Sequence, residues 1–234
     1  MTTAGRQNRD GHPGGMAGMA KDVRRARRDS GADEKAREEI DLVRRLALIA
    51  EQKDPATEGH IARFARYAEV LARGLGVSSD RVTMIRHASQ LHDVGNAALP
   101  DAILLRPGAL KDDELELVRG HTLIGEEVLA DSPSVYLQLG AVIAASHHER
   151  WDGSGYPHQL AGDEIPLEGR ICAVADVYEA LTTTRPYRSA LSTPWVYKML
   201  ETDLRPQLDP DVLEVAFERR AEFEAIREEL ANGA

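Results

Sequence analysis

The chain has 234 residues, 42% of them hydrophobic and only 5% aromatic, enough for one sizeable core packed mainly with aliphatic side chains. A formal net charge of -10 is a poor match for long nucleic acid. Neither a membrane span nor a signal peptide is expected, and the single cysteine, Cys172, excludes an internal disulfide framework, so a reducing, cytoplasmic setting fits best.

The first 30 residues hold seven Arg or Lys against three Asp, a net of +4 that leaves -14 for the remainder. Residues 1–32 are rich in Gly, Arg and Asp without apolar periodicity, and read as a disordered basic leader. A helical pattern begins at Asp33, with Ile40, Val43, Leu46, Ala47 and Ile49 or Ala50 on one stripe and Pro55 closing it. Thr57 is the expected N-cap of a second helix through Ile61, Phe64, Ala65, Ala68 and Leu71, ending near Gly74 or Gly76. A third starts at Ser78 or Ser79 and runs through Val82, Ile85, Ala88 and Leu91, before Gly95 and Pro100 break the chain. Asp112 or Asp113 opens a helix through Leu115, Val118, Ile124 and Val128, and another through Leu139, Val142 and Ile143 leads into His147 and His148. After a glycine-rich turn and a loop to Pro166, ICAVADVYEALTT reads as a buried helix, followed by helices near Pro194–Leu204 and Pro210–Leu230. No period-2 strand appears. The expected class is all-α, one helical-bundle domain over 33–232 behind the leader.

Two adjacent histidines on a helix point about 100° apart, so His147 and His148 suit two ions, or two sides of a cluster, better than one. His92 precedes Asp93 at a helix end, in QLHDVGN, while His60 and His121 lie on separate helices, each beside a glycine. Asp176 sits in apolar AVADVYEAL, where an unpaired carboxylate is costly to bury and a cation would offset that cost. Imidazole and carboxylate donors suit iron, manganese or zinc. Five histidines and two aspartates exceed the need of one ion, and two ions about 3.5–4 Å apart stabilise both oxygens of a phosphoester displacement.

The strings TEGHIAR (57–63), LHDVGN (91–96), GHTLIG (120–125), HHERWDGSGYP (147–157) and VADVYEALTTTRPYR (174–188) appear in order. With them the sequence resembles the HD-GYP family, a branch of the HD phosphohydrolases that hydrolyse cyclic di-GMP. The resemblance covers roughly residues 40 to 220 and implies an HD-type helical bundle. It makes His60, His92, Asp93, His121, His147, His148 and Asp176 the metal ligands, with Asp93 bridging. It also implies substrate contacts from Tyr156, Arg185 and Arg188, whose chemistry suits stacking on a base and bidentate capture of phosphate. Gly153 and Gly155 read as backbone geometry of a tight turn.

Two departures stand out. The family motif HD-x-G-K ends here in Asn96, which brings neither positive charge nor a transferable proton to the catalytic position beside Asp93; loss of an acid–base group costs roughly 10²–10⁴ in rate. Family members with three metals carry Glu four residues before the first histidine, where this chain has Ala56. Two divalent ions, Fe or Mn, are therefore expected, and the resemblance links such sites to the linear product pGpG.

The leading expectation is a phosphodiesterase that cleaves cyclic di-GMP with a water activated by two metal ions. The alternatives are a weakened module that binds cyclic di-GMP or a diguanylate cyclase partner, and a phosphohydrolase for another nucleotide. Other expected partners are a further signalling protein or a second copy of the chain; long nucleic acid and membranes are not expected. His87 and His158 read as non-ligands, Cys172 as inert packing and Trp151 as a loop brace. Arg63 either neutralises phosphate or pairs with an acidic neighbour. Glu149 either orients a histidine or caps its turn.

Overall fold

The computed structural model describes residues 15–53, 59–106, 108–184 and 189–231. Eleven α-helices and no strand occur among them: α1 (Gly15–Glu51), α2 (His60–Gly74), α3 (Ser79–Ala88), α4 (Asp101–Leu104), α5 (Asp112–Arg119), α6 (His121–Ala130), α7 (Val135–Ser146), α8 (Leu167–Thr182), α9 (Thr193–Glu201), α10 (Pro210–Glu218) and α11 (Arg220–Ala231). The all-α expectation holds. Two compact units meet in sequence at Glu39 and Ile40. The helix carrying the stripe predicted from Asp33 already runs from Gly15, while residues 1–14 lie outside the described set, as do Thr57 and Pro55.

Within the unit from Ile40 onward, Val43, Ala47 and Ala50 are the buried face of α1, spaced i, i+4, i+7. Ile49 falls on the outer face and is exposed. Val43 and Ala47 pack with Leu91, Val94, Leu129, Tyr136, Leu137 and Ala141. A larger cluster joins α2, α3, α7 and α8 to α9, α10 and α11, through Phe64, Leu71, Ile85, Ile143, Ile171, Tyr178, Val196, Val212 and Phe223 among others. At the crossing of α7 and α8 a Cβ on Gly169 would lie 2.3 Å from Ser146 Oγ, so only glycine admits this approach.

Four boundaries differ from the sequence expectation. The helix predicted through Leu91 ends at Ala88 and tightens into a 3₁₀ turn, Ser89–Leu91. The long helix from Asp112 is two, because the chain turns at Gly120. There His121 Nδ1 and Thr122 Oγ1 donate to the carbonyls of Val118 and Arg119, which have no helical continuation. A one-turn helix, α4, occupies part of the expected loop. The last segment likewise divides at Arg219 into α10 and α11, with Asp209 capping α10 by accepting from Asp211 N and Val212 N. Among the described residues no helix is long and apolar enough to cross a membrane.

Candidate metal centre

Helix ends bring most of the candidate ligands together. His60 is the first residue of α2, His121 the first of α6, and His147 caps the C-terminus of α7. His92 and Asp93 sit between two 3₁₀ turns, Ser89–Leu91 and Val94–Ala98. That break turns Asp93 inward. It is held by Gly95, whose Cβ would lie 2.0 Å from the His121 carbonyl oxygen, so the HD turn presses directly on the start of α6.

Asp93 is the hub. Its Oδ1 lies 3.1 Å from His121 Nε2 and 3.5 Å from His147 Nε2, and its Oδ2 lies 3.4 Å from His92 Nε2. Two groups of donors result, Asp93–His121–His147–His148 and His60–His92–Asp93, each with ligand atoms within 4.8 Å of one another and with Asp93 common to both. The structure thus gathers six of the seven predicted ligands. Asp176, on α8, belongs to neither group; it is half-buried and acts on His92 through its charge.

The donor chemistry fits divalent cations. Carbonyl oxygens only accept, so the ring Nδ1 atoms that meet them carry the proton: His92 donates to Ser89 O at 3.0 Å, His121 to Val118 O at 2.7 Å, and His147 to Ala144 O at 3.0 Å. Each ring then presents an Nε2 lone pair to a carboxylate and to a neighbouring ring, with His60 and His92 Nε2 3.4 Å apart and His121 and His147 Nε2 3.5 Å apart. Acceptors converging on acceptors need protons or metal ions between them. Burial opposes ionisation of Asp93, but the imidazoles of His92, His121 and His147 around it hold the carboxyl well below the usual range. Burial lowers His92 and His121, yet Asp93 raises both overall, so at their Nε2 atoms a proton competes with a metal ion for the lone pair. Burial lowers His147; burial, then the adjacent His147, pushes His148 well below its ordinary value. These rings are kept neutral, the form that ligates.

The HHE-DG-GYP loop frames one wall. A Cβ on Gly155 would lie 2.3 Å from Arg150 N, and Gly153 has φ +77°, so both glycines serve the backbone. Glu149 is buried and accepts from His158 N at 2.7 Å and Leu160 N at 3.0 Å. It ties the loop and orients no histidine. At Trp151 the loop is tied by main-chain bonds, Trp151 N to Gln207 O and Gly162 N to Trp151 O, and its indole lies 5.6 Å from the Arg170 guanidinium, which pairs with Asp209. Tyr156 stacks on His148 with ring centroids 4.8 Å apart. Arg63 pairs with Glu179, its Nη2 2.6 Å from Oε1, which settles its role as the pairing one. His87 packs edge-on to Tyr136 and joins neither donor group, His158 is exposed, and Cys172 is fully buried. Arg185 and Arg188 lie outside the described residues, as does Ala56. Asn96 is half-buried in the turn after Asp93, its N–H donating to Asp93 O at 3.0 Å.

Two residues escaped sequence reasoning. Arg119 places its guanidinium 5.2 Å from the Tyr156 ring centroid, bringing a cation to the wall made by His148 and Tyr156. Its position two before His121 was the available signal. Glu179, one helical turn after Asp176, holds the outer face of His60.

The family model of the HD domain matches residues 44–212. The chain belongs to the HD-domain family. Within it, the ordered motifs and the relatives place this HD-domain chain in the HD-GYP branch. It is 41% identical over 188 residues to a cyclic di-GMP phosphodiesterase response regulator, RpfG, of Xanthomonas campestris, covering 80% of this chain and 50% of that one. It is also 41% identical over 169 residues to a cyclic di-GMP phosphodiesterase of Thermotoga maritima, covering 72% and 46%. At the same 41%, over 194 residues, it matches a 3'3'-cGAMP-specific phosphodiesterase 2 of Vibrio cholerae, covering 81% and 36%. A crystal structure of a cyclic GMP-AMP specific phosphodiesterase from V. cholerae aligns with a TM-score of 0.46 at 32% identity, covering 80% of this chain and 40% of that one. The HD-domain chain thus spans half or less of the length of these relatives.

Proposed function

We propose that this HD-GYP chain is a metal-dependent phosphodiesterase that hydrolyses cyclic di-GMP to linear pGpG in the cytoplasm. The observation that carries the reading is the single carboxylate, Asp93, common to two histidine groups. Divalent ions in those groups, Fe or Mn by donor type, would lower the pKa of water to near neutrality and neutralise charge developing on a phosphodiester. Asp93 would span both ions; His60 and His92 would complete one side, and His121, His147 and His148 the other. Asp176 adds negative charge beside His92. Tyr156, stacked on His148 with the Arg119 guanidinium over its ring, would line the substrate site, and Arg185 and Arg188 would grip phosphate. Asn96, in the turn after Asp93, would offer an amide without charge where the family motif has lysine. A diguanylate cyclase, another signalling protein or a second copy of this chain are proposed partners.

The equal identity to a 3'3'-cGAMP-specific relative favours a second reading, in which the preferred cyclic dinucleotide carries one adenine. The test is anaerobic hydrolysis with Mn²⁺ or Fe²⁺ of cyclic di-GMP, 3'3'-cGAMP and pGpG. Cleavage of cyclic di-GMP that stops at pGpG supports the first reading. Preference for 3'3'-cGAMP supports the second, and no turnover by metal-loaded protein defeats both.

A further inference from the structure

One histidine of the centre is held differently from its neighbours. His92, His121 and His147 are each steered by a main-chain carbonyl of the preceding turn. His60 is not. Its Nδ1 faces Glu179 Oε1 at 3.4 Å, a carboxylate from α8 that is almost wholly buried. The same oxygen accepts from Arg63 Nε at 2.9 Å, Arg63 Nη2 at 2.6 Å and Thr183 Oγ1 at 3.0 Å. Glu179 belongs to neither donor group, and its Oε1 meets the centre only at His60.

We propose that Glu179 is a positioning residue on which only the His60–His92–Asp93 half of the centre depends. At 3.4 Å the negative charge of Glu179 favours a proton on His60 Nδ1, the nitrogen that faces it, and leaves Nε2 towards the centre. Arg63 compensates the buried charge and links α2, where His60 sits, to α8. In the other half His121 and His147 are oriented by main-chain carbonyls of Val118 and Ala144, and His148 stacks on Tyr156; none of them meets the Arg63–Glu179 pair. Removing such an outer carboxylate costs about 10–100-fold in metal affinity. Here that loss should fall on one ion of the two.

The proposal rests on the metal-binding reading above, and the experiment separates the two. Metal-free protein is titrated anaerobically with Mn²⁺ to give both dissociation constants, for wild type, Glu179→Gln and the double variant Arg63→Met with Glu179→Leu. The double variant replaces both members of the pair by apolar groups of similar size, so no uncompensated charge is left buried. Glu179→Gln keeps an acceptor oxygen and should weaken one ion by about tenfold; the double variant should weaken the same ion by about 100-fold. The other constant should stay within about twofold of wild type. The Glu179→Gln effect should vanish in a His60→Ala background and persist in a His148→Ala background, as expected when one residue acts through another. Equal weakening of both ions, unchanged constants in both variants, or persistence without His60 would overturn the proposal. A wild-type chain that binds no Mn²⁺ would instead overturn the metal reading itself.

Discussion

Gly95→Ala tests how tightly the HD turn is tied to helix α6. The added Cβ would lie 2.0 Å from His121 O, 2.8 Å from His121 C and 2.9 Å from Gly125 N, all main-chain atoms that cannot rotate away. Contacts under 3.0 Å are not tolerated, so the turn and the start of α6 must separate by about 1 Å, from 2.0 to 3.0 Å. Asp93 Oδ1 and His121 Nε2, now 3.1 Å apart, ride on those two segments. Ligand distances in metal sites hold to about ±0.2 Å, so a shift of this size should cost the ion on the His121 side. Overpacking of this kind also destabilises by about 1–3 kcal/mol. Urea unfolding of metal-free protein and Mn²⁺ titration read the two effects separately. Gly76→Ala is the control: Gly76 has φ +74° with open space around it. A left-handed alanine costs about 1–2 kcal/mol, so stability should fall comparably while both ions remain. Wild-type metal affinity in Gly95→Ala would refute the reasoning.

Three further outcomes are expected. Asn96→Lys restores a charge and a transferable proton beside Asp93, and should raise turnover by at least about tenfold, within the roughly 10²–10⁴ range of an acid–base group; unchanged turnover in steady-state assays would show that the position is not used. Arg119→Ala removes the guanidinium over Tyr156 and should raise KM about 2–5-fold with kcat nearly unchanged, the size of an exposed cation–π contact; an unchanged KM would contradict a substrate-facing role. Burial pushes the Tyr178 phenol from its ordinary 10.0 up to about 12, and burial raises Tyr67 and Tyr197 further. These groups favour the folded state fully below pH 10, and that contribution is lost as pH rises from about 10 towards 12 and beyond. Unfolding free energy measured against pH should decline across that window; phenols that ionise near pH 10 in folded protein would contradict it.

Much of the centre was legible because metal chemistry restricts residue type. Packing does not require several histidines at helix ends together with an aspartate next to His92, whereas metal ligation does. Their convergence on Asp93 also follows from local signals, since Gly95 and Gly120 mark the breaks that aim Asp93 and His121 inward. The break at Gly120 was nonetheless read through, because Leu115 with Val118 and Ile124 with Val128 each keep helical spacing on their own side of it. The step of six between Val118 and Ile124 moves the apolar stripe to another face and was the signal of the turn. Asp176 and Glu179 show a second limit. Both are acidic, three residues apart on α8, and sequence alone did not say which one meets an imidazole. The structure puts Glu179 against His60 and leaves Asp176 outside both donor groups. The place of Arg119 two before His121 marks it as near the centre, but its partner, Tyr156, lies 37 residues on and is met only in the folded chain.

The measurement closest to the central claim is elemental analysis of Asp93→Ala beside wild type, both reconstituted anaerobically with Mn²⁺ and freed of loosely held ions. One carboxylate shared between two histidine groups requires that wild type retain two ions per chain and that the variant lose both. A variant that keeps either ion, or a wild type that holds fewer than two, would contradict the account.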